Sequence, residues 1–156
     1  MTVVTHCYRA LVVLAAVSIS APVTSLRAQS VQTIEIVTKT GIRVLTVEVV
    51  ASDEQVKKGL SGRKELPTGN GMLFDFRGEV QVFMETKNTL IPLDMIFIRS
   101  DGRIHSIVEN VEPLSSRQIY SNGVVRGVLE VPGGTSRMFG IAVGDRVAHP
   151  IFRATK

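Results

Sequence analysis

Apolar and polar residues alternate over Val31–Thr38 (VQTIEIVT), the pattern of a half-buried strand. Lys39-Thr40-Gly41 turns the chain into a second strand over Ile42–Val50. There Ile42 and Val44 share one phase, while Leu45, Val47 and Val49 share the other. Such a flip predicts a bulge or a strand buried on both faces. Ser52-Asp53-Glu54-Gln55 has the S-x-x-Q form of a capping box and opens a short helix to about Lys58. Gly59 and Gly62 supply its stop, and Leu66–Gly71 reads as a loop. Further strands are predicted at Met72–Phe76, Val80–Thr86 and Asp94–Arg99. The last is apolar on both faces, the pattern of a central strand. Ser100-Asp101-Gly102-Arg103 is a hairpin turn, and Arg103–Glu109 returns as the partner strand. Strands at Val124–Val131 and Arg146–Phe152 flank a second short helix over Thr135–Phe139. Many short strands with two short helices predict a mainly β, single-domain β-sandwich or open barrel.

Composition sharpens this picture. The 156 residues are 44% hydrophobic and 21% charged, enough for one domain with a real core. Trp is absent and aromatics make up 5%, which argues against stacking platforms for bases or sugar rings. The net charge of +4 is partly carried by Arg9 and Arg27. Beyond residue 28, sixteen Lys and Arg face fourteen Asp and Glu. That near-neutral balance has no footprint for a polyanion, so nucleic acid is not an expected partner.

The N-terminus reads as an address. Ala10–Ala21 is an apolar run of twelve, short for a bilayer span, followed by small residues and a cleavage point after Ala28. The organisation expected is a signal peptide over 1–28, a tether over 29–32, a β-rich domain over 33–152 and a tail over 153–156. The mature chain would be periplasmic or extracellular, with no stable membrane span after cleavage. Cys7 lies inside the signal, so the mature chain would be free of cysteine. That excludes a disulfide, a thiol nucleophile and a Cys-ligated zinc.

Several motifs stand in a distinctive order. Gly59-Leu60-Ser61-Gly62-Arg63, Leu66-Pro67 and Gly71-Met72-Leu73-Phe74-Asp75-Phe76 come first. Lys87-Asn88-Thr89-Leu90-Ile91-Pro92-Leu93-Asp94 follows, then Asp101-Gly102-Arg103-Ile104. Leu129-Glu130-Val131-Pro132-Gly133-Gly134-Thr135 and Gly144-Asp145-Arg146-Val147 complete the series. The chain resembles the domain of unknown function 192 family over roughly residues 33–152. These are small, often exported prokaryotic proteins, and the resemblance implies a jelly-roll-like β-sandwich. It implies a fold and a site, but no reaction. Where the family usually carries an aromatic and a Met before Lys-Asn-Thr, this chain has Glu85 and Thr86.

Candidate chemistry centres on Lys87, Asn88, Thr89, Asp94 and Glu130, with Glu109, Arg103, Gly133 and Gly134 as secondary candidates. Counting across the hairpin turn, Ser100 faces Arg103, Ile98 faces His105, Ile96 faces Ile107 and Asp94 faces Glu109. Adjacent carboxylates repel unless a proton or a cation intervenes. Asp94 could equally form a salt bridge with Lys87 that only fixes the loop. Glu130 shares a phase with Arg126, and a surface ion pair is the commoner outcome. The Pro132–Ser136 turn could offer N–H groups to an anion, although it is no P-loop. His105 and His149 do not make a zinc site, and no calcium loop is present, so neither metal nor cofactor is expected.

Three functions fit these residues. The first is a non-catalytic exported module binding a small polar ligand or an envelope partner. The second is a hydrolase of envelope glycans or esters, using Asp94 with Glu109 or Glu130 as acid and base. The third is a structural or interaction protein of the envelope.

Overall fold

Alternate residues of the same strands feed two separate cores. The computed structural model describes residues 30–152, so the expected signal peptide and tail lie outside it. In chain order the elements are β1 (Ser30–Thr38), β2 (Gly41–Val50), α1 (Asp53–Lys58), β3 (Asn70–Val80) and β4 (Phe83–Met84). They continue with β5 (Leu93–Ile98), β6 (Ile104–Val111), β7 (Ile119–Tyr120), β8 (Val125–Pro132), α2 (Thr135–Phe139) and β9 (Arg146–Ala148), then a 3-10 turn at Pro150–Phe152. Seven strands form one sheet in the order β6-β5-β8-β3-β2-β1-β9, and β4 pairs with β7 in a two-stranded ribbon.

The large sheet curls until its ends meet. Arg103 and Arg146 form an antiparallel bridge. Val147 N–H donates to the Gly102 carbonyl at 2.8 Å, and Ile104 N–H to the Asp145 carbonyl at 2.9 Å. Inside the curl lie Ile34, Ile36, Leu45, Val47, Leu73, Ile96, Leu129 and Val131. The alternate residues Met72, Phe74, Met95, Phe97 and Val128 form the second core on the outer face. That core is covered by Leu60 and Leu66, which follow α1, and by Ile119 of the ribbon. The chain is therefore a single mainly β domain with a curled, half-barrel sheet and two short α-helices.

Both helices fall where the sequence places them. Ser52 Oγ accepts the Gln55 N–H at 3.3 Å, and Gln55 Oε1 accepts the Ser52 N–H at 3.3 Å, completing the capping box. Leu93–Ile98 is buried throughout and lies between β6 and β8, as a central strand should. The β2–β3 pair is parallel, with α1 in the crossover between them.

Four expectations need correction. β2 has no bulge: its pairing with β1 runs unbroken, and Ile42 and Val44 simply face solvent. Residues 30–32, partly expected as tether, are the first rungs of β1. The strand expected over 80–86 shrinks to Phe83–Met84, because β3 runs on to Val80 and β4 pairs only with β7. The last strand stops at Ala148, where Pro150 turns the chain into the 3-10 segment.

Candidate functional site

β5 and β8 carry the two carboxylates that matter, and they point to opposite faces. Asp94 is in register with Val131, and Glu130 with Met95 on one side and Met72 on the other. Val131 belongs to the core inside the curl, whereas Met72 and Met95 belong to the outer core. Side chains directly across a ladder share a face. Asp94 thus faces inward and Glu130 outward. The acid–base pair expected of these two groups is not formed, since the sheet lies between them.

Asp94 is fully buried and completely engaged by backbone. Its Oδ1 accepts the N–H groups of Asn110 and Gly134, both at 2.9 Å, and its Oδ2 accepts the Ser136 N–H at 2.7 Å. The β5–β6 register shifts between Leu93 and Met95, so both Glu109 and Asn110 stand opposite Asp94. Asn110 takes a left-handed conformation there (φ 50°), which brings its N–H to the carboxylate. Gly134 also has positive φ (84°) and starts α2 beside the same group. The anion suited to the Pro132–Ser136 turn is therefore the protein's own Asp94, which ties β5, β6 and α2 together.

The other pairings expected of these residues are replaced. Glu109 is paired with Arg137 at 3.2 Å, and it is the Asn110 N–H beside it that Asp94 accepts. Ile96 does face Ile107, but a second shift at Phe97/Ile98 puts Ile98 opposite Ile104 instead of His105. Lys87 makes no salt bridge with Asp94, whose oxygens are already taken. Arg126 pairs with Asp75, leaving Glu130 without it. Val125 and Val128 enter the same core although three residues apart, so the alternation of β8 breaks around Arg126. The β3–β8 register shift between Asp75 and Val80 accompanies that break. Arg103 lies at the sheet closure, where its Nη1 donates to the Gly144 carbonyl at 3.3 Å, remote from these groups. Gly133 packs against Pro92 and Asn110, where a Cβ would come within 2.9 Å of Asn110 Oδ1.

Glu130 sits at the floor of a cavity of about 540 Å³ on the outer face. The walls come from Val56, Leu60, Phe74, Phe76, Val82 and Met84, and the rim from Lys57, Lys58, Glu85, Lys87, Asn88 and Thr89. Lys87, Asn88, Thr89 and Glu130, singled out from sequence, therefore do meet around one cavity, while Asp94 does not reach it. The side chain of Glu130 is 4% exposed and makes no ion pair or hydrogen bond among the described residues. Burial pushes its carboxyl up to about 8, so it holds a proton at neutral pH. A protonated carboxyl is a hydrogen-bond donor as well as an acceptor. Gly71 lets β3 close on β8 at this point: a Cβ there would lie 2.7 Å from the Glu130 carbonyl oxygen.

The departure at residues 85–86 divides between scaffold and site. Thr86 is buried and its hydroxyl donates to the Glu112 carbonyl at 2.6 Å, fixing the loop. Glu85 stands on the cavity rim. Sequence reasoning missed Lys57, Lys58 and the apolar walls. These residues converge only once α1 and the β4–β7 ribbon fold over the sheet, which no local spacing announces. Elsewhere, His149 is bonded to Gln32 Oε1 at 2.9 Å, and burial lowers its imidazole below 6.5, opposed by the charge of Asp75. Among the described residues, no three His, Cys, Asp or Glu side chains gather as a metal site. No described helix is long and apolar enough to cross a membrane.

A curled sheet with one polar group at the floor of an apolar cavity is the architecture of a small single-domain protein with a ligand-sized pocket. The chain belongs to the DUF192 family, described as an uncharacterized ACR, which it matches over residues 35–149. Among solved structures, it is similar to a candidate transcription regulator from Sinorhizobium meliloti 1021. The two share 40% identity at a TM-score of 0.75, over 77% of this chain and 94% of that one. It is also similar to a protein of unknown function from Novosphingobium aromaticivorans DSM 12444. Here identity is 30% and the TM-score 0.75, over 86% of this chain and 94% of the other. No curated protein matches the sequence.

Proposed function

We propose that the protein is an exported, non-catalytic module that binds a small molecule in the cavity above Glu130. The observation that carries this reading is the Glu130 carboxyl itself, set among Met72, Met95 and Phe74 with no partner among the described residues. The carboxyl meets the cavity with no protein partner among the described residues, and a ligand oxygen or nitrogen can take the place of water there. Its volume lies in the range that holds small ligands. Asn88 on the rim and the buried Thr89 beside it add polar groups to the lining.

Hydrolysis is the weaker reading. Asp94 is on the other face and Glu109 is paired with Arg137, so neither acid expected to work with Glu130 lines its cavity. The Sinorhizobium protein's description as a candidate regulator does not favour DNA binding here. The described α-helices have six and five residues, too short for a recognition helix, and the charge beyond residue 28 is nearly balanced. Export rests on the charged, apolar, small-residue order of residues 1–28. Its test is the N-terminus of protein recovered outside the cytoplasm, which should be Gln29.

Binding is tested with Nile red, a neutral dye that brightens in apolar surroundings. One saturable site is expected. Met84→Trp fills the cavity and should abolish the signal while the melting temperature stays within a few degrees. No saturable binding to the unaltered protein, or equal binding to the Trp variant, overturns the reading.

A further inference from the structure

Resting on that reading, we propose that the ligand is an amphipathic organic anion. Its carboxylate or phosphate head sits among Lys57, Lys58 and Lys87 and its apolar body against Phe74, Phe76 and Met84.

Placement of charge decides the orientation. Lys57 and Lys58 end α1, Lys87 follows β4, and all three are exposed on the cavity rim. None of them has a carboxylate within 4.0 Å among the described residues. Glu85, two residues before Lys87, is the acid that shares the rim with them among the described residues, so three lysines there stand against one glutamate. Behind it the walls from α1, β3 and the ribbon are apolar, and the sheet contributes Glu130 as its only ionisable group. With its proton on, Glu130 adds no negative charge to the floor. It leaves one O–H that a hydroxyl or carbonyl oxygen at the inner end of the ligand would accept. An ammonium ligand would have to pass three like charges and then ionise a carboxyl held neutral by burial. An anion meets attraction at the mouth and no repulsion below it.

The test uses four eight-carbon probes on the protein at low ionic strength, read by displacement of Nile red. Octanoate and octyl phosphate should bind about tenfold or more tighter than 1-octanol, equivalent to about 1.4 kcal/mol, with octylamine weakest. Raising salt to about 1 M should bring octanoate toward octanol, because exposed charges are screened. The triple variant Lys57→Ser, Lys58→Ser, Lys87→Ser should remove the octanoate advantage while it still binds octanol and keeps the circular dichroism spectrum of the folded protein. Equal affinity for octanoate and octanol, or tightest binding of octylamine lost on Glu130→Gln, overturns the anion assignment while leaving the cavity a binding site. Failure of all four probes together with Nile red overturns both.

Discussion

Replacing Glu130 with Gln should make the protein more stable, and the gain should depend on pH. In the unfolded chain the carboxyl titrates near 4.5, and in the folded protein near 8. Between those values the native state holds a proton that the unfolded state has released. Stability contributed by the protonated group is therefore complete below pH 4.5 and is lost as pH rises through 8. Each pH step across that interval costs about 1.4 kcal/mol, so the loss is roughly 3 kcal/mol at pH 7 and approaches roughly 5 above pH 9. Gln has the same shape and nothing to ionise. Below pH 4.5 the two proteins should be equally stable. At pH 7 the variant should lead by roughly 3 kcal/mol, a large share of the 5–15 kcal/mol typical of a domain. Because the chain has no Trp, urea unfolding is best followed by far-ultraviolet circular dichroism at several pH values from 4.5 to 8.5. The midpoint should move upward by about 2 M at pH 7. Parallel stability curves for the two proteins across this range would refute the reasoning. They would mean that the native carboxyl is ionised and compensated, and the neutral floor assumed for the cavity would go with it.

Asp94→Asn should act in the opposite direction. An amide oxygen can keep at most two of the three N–H bonds and sets an NH₂ against the third, a loss of roughly 3–5 kcal/mol. Urea unfolding measures that loss, and hydrogen exchange should quicken at Asn110, Gly134 and Ser136; a change below about 1 kcal/mol would contradict the assignment. Gly71→Ala should cost about 1–3 kcal/mol, because its Cβ would force β3 away from the Glu130 carbonyl. An unchanged melting curve would show that the strands can part freely. For His149, the imidazole lowered by burial makes stability complete above pH 6.5 and lost as pH falls through its native value. His149→Asn should flatten that acid limb, and persistence of the limb would assign it to another group.

The parts of the fold written in short-range chemistry were readable. Ser52 and Gln55 announced α1 because a capping box is a local hydrogen-bond pattern. Leu93–Ile98 announced a central strand because burial on both faces leaves no alternation. Ile42 and Val44 misled because apolar residues on an exposed face carry the same letters as buried ones. The ribbon of β4 and β7 was unreadable, since two-residue strands have no period to detect. The hairpin register was correct at Ile96 and Ile107 and drifted beyond each bulge, where one strand contributes an extra residue. The same drift hid the role of Asp94. Counting two by two put a carboxylate beside it, whereas the bulge put an N–H there.

The contrast between the two carboxylates is the strongest argument for separating scaffold from site. They sit one rung apart on neighbouring strands, Asp94 opposite Val131 and Glu130 opposite Met95. Both are buried, and burial alone would give them the same cost. What differs is satisfaction. Three N–H groups surround Asp94, so its charge closes the structure and its loss opens it. Around Glu130 there are methionines and a phenylalanine, so its presence opposes folding and its loss favours folding. Methionine or leucine at position 130 would pack the outer core without that cost. A residue that weakens the fold, faces a cavity and has no partner among the described residues is what the proposed binding role would explain. On the proposed binding reading the Lys-Asn-Thr loop and Glu130 would act together on a ligand, while Asp94, the most suggestive acid in the sequence, belongs to the frame on the other face of the sheet.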